Sequence, residues 1–324
     1  MTDRRRFILA TALGALAAPS LADAQTSAKV WRIGYLTPTE VPAVRDSLIE
    51  PLRQLGYVEG KTLSFEVHSA ENDLGRLPQL ASALARSNVD VIVAVSPPAI
   101  RAASQATRTT PIVMAFWGGE GLIESGIVAS FARPGTNVTG IYMLAAELDA
   151  KRLELLLDAV PNAKKVAVLN PGRGWGTFTE VRQVAQAARI QLYISEESDS
   201  SGYERVFEAM AREQVDALLV PSFPRFFQEH REIIEVAARR RIPAMYEWGE
   251  MARDGGLIAY GPVIAELNRR VATYVDKILK GANPANLPIE QPNKFELVIN
   301  RKTAKALGLT IPSSVLLRAD QLVD

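Results

Sequence analysis

Cysteine is absent from this 324-residue chain. Its absence removes disulfides, thiolate zinc sites, iron–sulfur clusters and a thiol nucleophile together, along with the residue on which a lipid anchor could be built. It does not place the chain in the cytosol, because exported proteins can fold without disulfides. Histidine is nearly absent too: only His68 and His230 occur, far apart in sequence, so a His-rich metal site is excluded. An excess of one charge is also missing. Lys and Arg number 37 against 36 Asp and Glu, and the net charge of +1 gives no broad field for nucleic acid or an anionic membrane. The chain contains no G-x-S-x-G elbow, no G-x-x-x-x-G-K-[ST] phosphate loop and no H-E-x-x-H. We therefore expect no catalytic residues, no bound metal and no cofactor.

What is present is ordinary globular material, 48% hydrophobic and 23% charged, long enough for two lobes of about 120–150 residues each. The first 24 residues read as an address. Arg4-Arg5-Arg6 is followed by an apolar run from Ala10 to Ala18, too short to span a bilayer, and then by Ala22-Asp23-Ala24. A basic head, short apolar middle and A-x-A end form a secretory signal cleaved near Ala24, which predicts a periplasmic mature protein. The Arg4-Arg5-x-Phe7 spacing resembles a twin-arginine signal. A basic head on a general secretory signal is the other reading.

Beyond the leader, apolar runs alternate with amphipathic segments, the pattern of βαβ units and a parallel sheet. Strands are expected over 30–36, 63–67, 89–95, 111–116 and 138–142, with helices over 44–55 and 77–87. Gly56, which tolerates positive φ, is the expected stop of the first helix. The pattern then restarts. Residues 165–169 echo 30–36, 215–220 echo 89–94, and 241–245 echo 110–114. An offset of roughly 130 residues, with the echoes in the same order, suggests a duplicated domain.

In open parallel sheets ligands bind beyond the carboxyl ends of the strands, so those ends supply the candidate site. Thr37 closes the first strand. Ser96 and Pro97 follow the third, where the serine suits an N-cap and the proline a first helical turn. Such a helix start is a natural seat for a carboxylate. Ser222 and Phe223 occupy the equivalent place in the second half. Capping alone also accounts for both serines. Aromatic residues crowd the same strand ends: Phe116, Trp117, Trp175, Phe223, Tyr246, Trp248 and Tyr260. They offer stacking area in a pocket, or a cap on the core beneath it. Glu247 could receive a ligand ammonium group or form a surface ion pair. Thr139 and Asn170 complete the candidate set. Gly118-Gly119-Glu120-Gly121 lacks dinucleotide-binding spacing and reads as a flexible loop, and Glu196-Glu197 reads as part of a polar loop.

Several longer segments carry a resemblance. Residues 52–60 (LRQLGYVEG), 132–140 (ARPGTNVTG), 151–156 (KRLELL), 274–281 (YVDKILKG), 291–300 and 302–312 (KTAKALGLTIP) are similar to those of ABC transporter substrate-binding proteins related to tryptophan- and tyrosine-binding proteins. The likeness covers essentially the whole mature chain. It implies an α/β type I periplasmic binding fold: two Rossmann-like parallel-sheet lobes joined by a three-segment hinge. It also implies a small-molecule ligand and delivery to an ABC permease. Family members often carry Gly-Asp-Pro where this chain has Gly118-Gly119-Glu120, and Arg-Glu-Phe where it has Tyr246-Glu247-Trp248. Both departures fall where specificity is set.

On this reading lobe 1 comprises residues 29–140 and 260–287, and lobe 2 comprises 141–259 and 288–324. A helix over 263–279 returns to lobe 1, a strand over 295–300 joins lobe 2, and crossings fall near Gly140, Gly261 and Pro288. The expected function is capture of a small carboxylate-bearing ligand, aromatic or amphipathic rather than sugar-like, by a monomeric solute receptor of an ABC importer, without nucleic acid. A periplasmic sensor feeding a membrane receptor or kinase would use the same fold. An exported two-domain enzyme is the remaining alternative.

Overall fold

A computed structural model of the protein describes residues 29–118, 121–172, 178–197 and 202–324. The leader lies outside the described residues. Among them, no helix is long and apolar enough to cross a membrane.

The first half contains β1 (Trp31–Thr37), α1 (Pro42–Gln54), β2 (Leu63–Ser69), α2 (Leu77–Arg86), β3 (Val91–Val95), α3 (Ser96–Ala106), β4 (Ile112–Gly118) and β5 (Val138–Met143). The second continues with α4 (Ala145–Ala159), β6 (Lys165–Asn170), α5 (Thr179–Ala188), β7 (Gln191–Glu197), α6 (Tyr203–Arg212), β8 (Ala217–Leu219), α7 (Pro224–Gln228), α8 (His230–Arg239), β9 (Ala244–Tyr246), α9 (Gly249–Arg253) and β10 (Ile258–Pro262). The chain ends with α10 (Ile264–Leu279), β11 (Phe295–Asn300), α11 (Arg301–Leu307), α12 (Ser313–Leu316) and β12 (Gln321–Val323).

These elements form two sheets. One has five strands in the order β2-β1-β3-β4-β5, all parallel; the other has seven in the order β12-β11-β10-β9-β8-β6-β7. Within the larger sheet only the β10–β11 pairing is antiparallel. The segments that echo one another in sequence, β1 and β6, β3 and β8, β4 and β9, occupy equivalent places in the two sheets. The strand β7, in a stretch the periodicity left unassigned, takes the position that β2 holds in the first sheet. Glu196 and Glu197 end this strand and do not belong to a loop.

Alternation within each strand builds the core. In β3, Val91, Val93 and Val95 face a cluster with Leu48 and Leu52 of α1 and Val271 and Val275 of α10. Ile92 and Ala94 face Ala81 and Leu84 of α2 and Ile100 of α3. A strand covered on both sides must be apolar throughout, which is why β3 reads as a continuous hydrophobic run. The first helix stops as expected. Gly56 takes φ +93°, its N–H reaches the Arg53 carbonyl, and the Tyr57 N–H reaches that of Leu52, a Schellman closure.

The chain passes between the lobes three times: between β5 and α4, between β10 and α10, and between residues 290 and 295. These passages fall slightly later than the expected Gly140, Gly261 and Pro288, because pairing persists through them. Gly140 lies inside β5 at φ +130°, where any β-carbon would collide with the Met114 backbone. Tyr260 and Gly261 still pair with β11, and Glu290 still bridges to Ile141 beside the first sheet.

Candidate functional site

The carboxyl ends of both sheets face a shared cavity with about 630 Å³ of space free of protein atoms, part of it open to solvent. The first lobe contributes Tyr35 and Thr37 from β1, Thr39, Val41 and Val44 beyond it, Val95 and Ser96, and Phe116 and Gly118 from β4. The second contributes Ser222, Phe223, Pro224, Phe227, Glu247 and Trp248, and Ile264 enters at the second passage. The lobes touch across this space. The Thr39 hydroxyl donates to the Gln228 side-chain oxygen at 2.5 Å, and Phe116 meets Trp248 edge-on. The protein is therefore in a closed arrangement.

Two of the first-lobe residues that line the cavity hold unusual backbone. Ser96 has φ +75° and Phe116 φ +65°, in a region costly for residues with a β-carbon and found where side chains are aimed for function. In β4 the register slips between Met114 and Trp117, and this bulge turns Phe116 into the cavity. Ser96 does not act as the expected N-cap. The helix α3 starts at Ser96 itself, Val95 holds the cap position, and no side chain caps it. With its left-handed backbone the Ser96 hydroxyl stays buried, 2% exposed, without a hydrogen-bond partner. Pro97 and Pro98 do fall in the first turn, but neither carries an N–H. An anion here would be held by the Ser96 hydroxyl and the remaining amides, with fewer donors than an ordinary helix start offers.

The polar wall of the second lobe centres on Glu247. The residue is 2% exposed, and its carboxylate accepts a hydrogen bond from the Ser222 hydroxyl. Burial pushes its pKa up to about 7, opposed by the charge of Arg152 and by hydrogen bonds from the Ser222 and Trp248 side chains. Arg152 in α4 is completely buried; it donates to Asp149 at 2.6 Å and to the Tyr260 carbonyl at 2.7 Å. Burial also raises the pKa of Asp149, against the pull of Arg152. Arg152 Nη2 has no partner. A β-carbon at position 261 would collide with the Glu247 carbonyl oxygen and sit 3.3 Å from Arg152 Nη2, so Gly261 is what allows β10 to run this close.

Of the residues expected at the site, Thr37, Ser96, Phe116, Ser222, Phe223 and Glu247 line the cavity. Five do not, for local reasons. Pro97 is buried within the first turn of α3. Thr139 sits near the start of β5, where its hydroxyl holds the Leu287 carbonyl at 2.7 Å. Asn170 is tied to Ser195 of β7 and to the Gly172 N–H. Tyr246, 1% exposed, is turned by the strand's alternation into the core beneath α6, α8 and α9. Tyr260 stacks on Phe295 at 6.0 Å. The side chain of Trp117, with Gly119, Glu120 and Trp175, lies outside the described residues. Sequence reasoning passed over Tyr35, Thr39, Val41 and Val44, which follow or precede the strand tip, and Phe227, one turn into α7. It also passed over Arg152, which in sequence is one of several charges on α4. Among the described residues, no group of three or more His, Asp or Glu could hold a metal ion.

The chain belongs to the ABC transporter substrate binding protein family, whose model matches residues 37–323. It is 26% identical over 288 residues to the tyrosine-binding protein of Clostridioides difficile, covering 87% of this chain and 82% of that protein. A conserved domain protein from Vibrio cholerae superposes with a TM-score of 0.82 at 27% identity, over 91% of this chain and 100% of that one. An ABC domain from Streptococcus pneumonia, crystallised in complex with L-Trp, superposes at 0.80 with 24% identity and the same coverage. The periplasmic-binding type of α/β fold, with its two parallel-sheet lobes, is thus shared.

Proposed function

We propose that this protein is the periplasmic solute receptor of an ABC importer, which captures a small carboxylate-bearing ligand with an aromatic or amphipathic body between its lobes and presents it to a membrane permease. The buried, partnerless Ser96 hydroxyl at the start of α3 carries the reading: a polar group without a partner faces a cavity whose lining includes Phe116, Phe223, Phe227 and Trp248. Buried polar atoms normally have partners, so a ligand acceptor is the natural complement. The names of two relatives, a tyrosine-binding protein and an L-Trp complex, point the same way. The three passages supply a hinge between the two lobes. Closure follows from contacts the ligand makes with both lobes at once. The leader, cleaved near Ala24, exports a monomer.

Thermal-shift screening of the mature protein against aromatic amino acids, aromatic acids and aliphatic acids tests this. Stabilisation by an aromatic carboxylate, reduced in Ser96→Ala, is expected. Stabilisation by sugars or polyamines alone would sink it.

A further inference from the structure

The short helix α7 carries two side chains that serve the cavity. Phe227 lines it and meets Trp248 edge-on, and Gln228 reaches Thr39 of the first lobe. A helix of five residues is marginal on its backbone bonds alone, and no side-chain hydrogen bond caps this one. Its end is pinned from outside by two contacts. The Tyr203 hydroxyl of α6 donates to Glu229, and His230, the first residue of α8, ties the corner to the end of α9. The His230 ring also lies beside that of Phe227, with centroids 5.6 Å apart.

The contacts of His230 define its protonation. Nδ1 lies 2.5 Å from the Phe227 carbonyl oxygen and Nε2 lies 2.8 Å from Asp254 Oδ2. A carbonyl can only accept. Asp254 is approached by Arg231 of α8 at 3.5 Å as well, and the bond from His230 holds its carboxyl below the ordinary aspartate range, so it too accepts. With an acceptor at each nitrogen, both carry protons and the ring is an imidazolium. The other charged groups of this corner have their own neighbours. Glu229 is held by Tyr203, with Glu232 of α8 on the same side. Arg225 lies over the rings of Phe223 and Phe226, and Glu250 of α9 is 3.7 Å from Arg253.

Resting on the receptor reading above, we propose that His230 is a positioning residue of the binding site, a doubly protonated brace that sets Phe227 against the ligand and Gln228 against the first lobe. Loss of one proton leaves a lone pair facing an oxygen at one nitrogen or the other, and that contact must open. If it is Nδ1, the Phe227 carbonyl is released; if it is Nε2, α8 parts from the end of α9. Either way the end of α7 loosens, and the wall and the interlobe link loosen with it. Binding is therefore tighter with the ring charged and weakens as pH rises through its titration.

His68 and His230 are the only histidines, so ring-15N labelling of histidine in the mature protein, with His68→Gln for assignment, isolates His230. Both of its ring nitrogens are expected to carry protons at the acid end of a titration from pH 5 to 9. In the ligand-free protein the amide signals of Gln228 and, across the cavity, Thr39 should shift with the same midpoint. Affinities for L-tryptophan, L-tyrosine and indole-3-propanoate are then compared in the parent, His230→Asn and His230→Gln. Asparagine keeps a donor near Nδ1 and glutamine one near Nε2, each without a titrating charge. The pH response of Glu247 is common to all three proteins and cancels in the ratio. Below the His230 midpoint the parent should bind about threefold to tenfold more tightly than either variant, the effect of one charge-assisted hydrogen bond, and above it that advantage should vanish. A ratio constant from pH 5 to 9, or a Thr39 signal that ignores the His230 titration, refutes the brace while the receptor reading stands. If none of the three probes binds at millimolar concentration, the receptor reading fails and the Gln228 and Thr39 signals alone decide the brace: moving with His230 they uphold it, and static they overturn it.

Discussion

The Phe116 ring of the first lobe meets the Trp248 indole of the second with centroids 6.0 Å apart and planes inclined by 73°. A second perpendicular pair, Phe227 and Trp248 at 6.4 Å and 89°, continues this wall. One indole thus receives a ring from each lobe, and the cavity closes around it.

Phe116 reaches that position from left-handed backbone, which costs a residue with a β-carbon about 1–2 kcal/mol. Phe116→Gly removes the strain and the wall together. The melting temperature of the ligand-free protein should hold or rise, while affinity falls at least about fivefold, since taking an aromatic ring out of a dry pocket costs about 1 kcal/mol or more. Calorimetry beside a thermal melt checks both. Undiminished affinity would show that the ring faces away from the ligand.

The Thr39–Gln228 hydrogen bond is a polar link across the cavity mouth. Thr39→Val keeps the shape and removes the donor, leaving Gln228 free to turn to water. Affinity should fall about threefold to tenfold, the effect of one hydrogen bond of roughly 1 kcal/mol. The radius of gyration from small-angle scattering should rise in the absence of ligand. An unchanged scattering curve would mean that the rings alone hold the lobes together.

Glu247 also makes stability depend on pH, with a definite sign. Its folded pKa is raised, so between the ordinary glutamate value and about 7 the folded state binds more protons than the unfolded chain. Stability is therefore fully present in acid and is lost as pH rises through that window. Glu247→Gln should leave the melting temperature near that of the parent at pH 4 and exceed it above pH 7. The difference corresponds to a few kcal/mol at most, on the order of 3. Melts of both ligand-free proteins across that range decide it; parallel curves would contradict the burial of the carboxylate.

Much of this fold was legible because parallel strands covered on both faces announce themselves. Residues 91–95 and 166–169 are apolar runs, and the order of the echoes anticipated equivalent strand positions. The strand β7 was missed because its edge position leaves it half-buried and mixed in character, Gln191 to Glu197. At the site, residues immediately beyond a strand tip were legible: Ser96, Ser222 and Glu247 all reach the cavity. Tyr246 did not, because one step back along a strand reverses the face, a rule that composition of the tip cannot reveal. The true backbone of Ser96 was hidden too, since a Ser-Pro-Pro sequence suits an N-cap as well as the left-handed turn found here. Arg152 gave no signal because an arginine beside Lys151, in a helix that also carries Asp149 and Glu154, reads as part of a solvated face, whereas here it joins α4 to the carbonyl of Tyr260.

Helix α10, supplied from residues 264–279, lies on the first sheet against α1, with Asn268 holding the Val44 carbonyl at 3.0 Å and the Tyr57 hydroxyl reaching Asp276 at 2.9 Å. Half the cover of the amino-terminal sheet is thus synthesised last but for the final strands. A nascent chain halted before this helix would leave Val93, Val113 and Ile141 wet on one side, so the amino-terminal lobe cannot finish folding ahead of its partner. The amino-terminal lobe is completed only once residues 264–279 have been made.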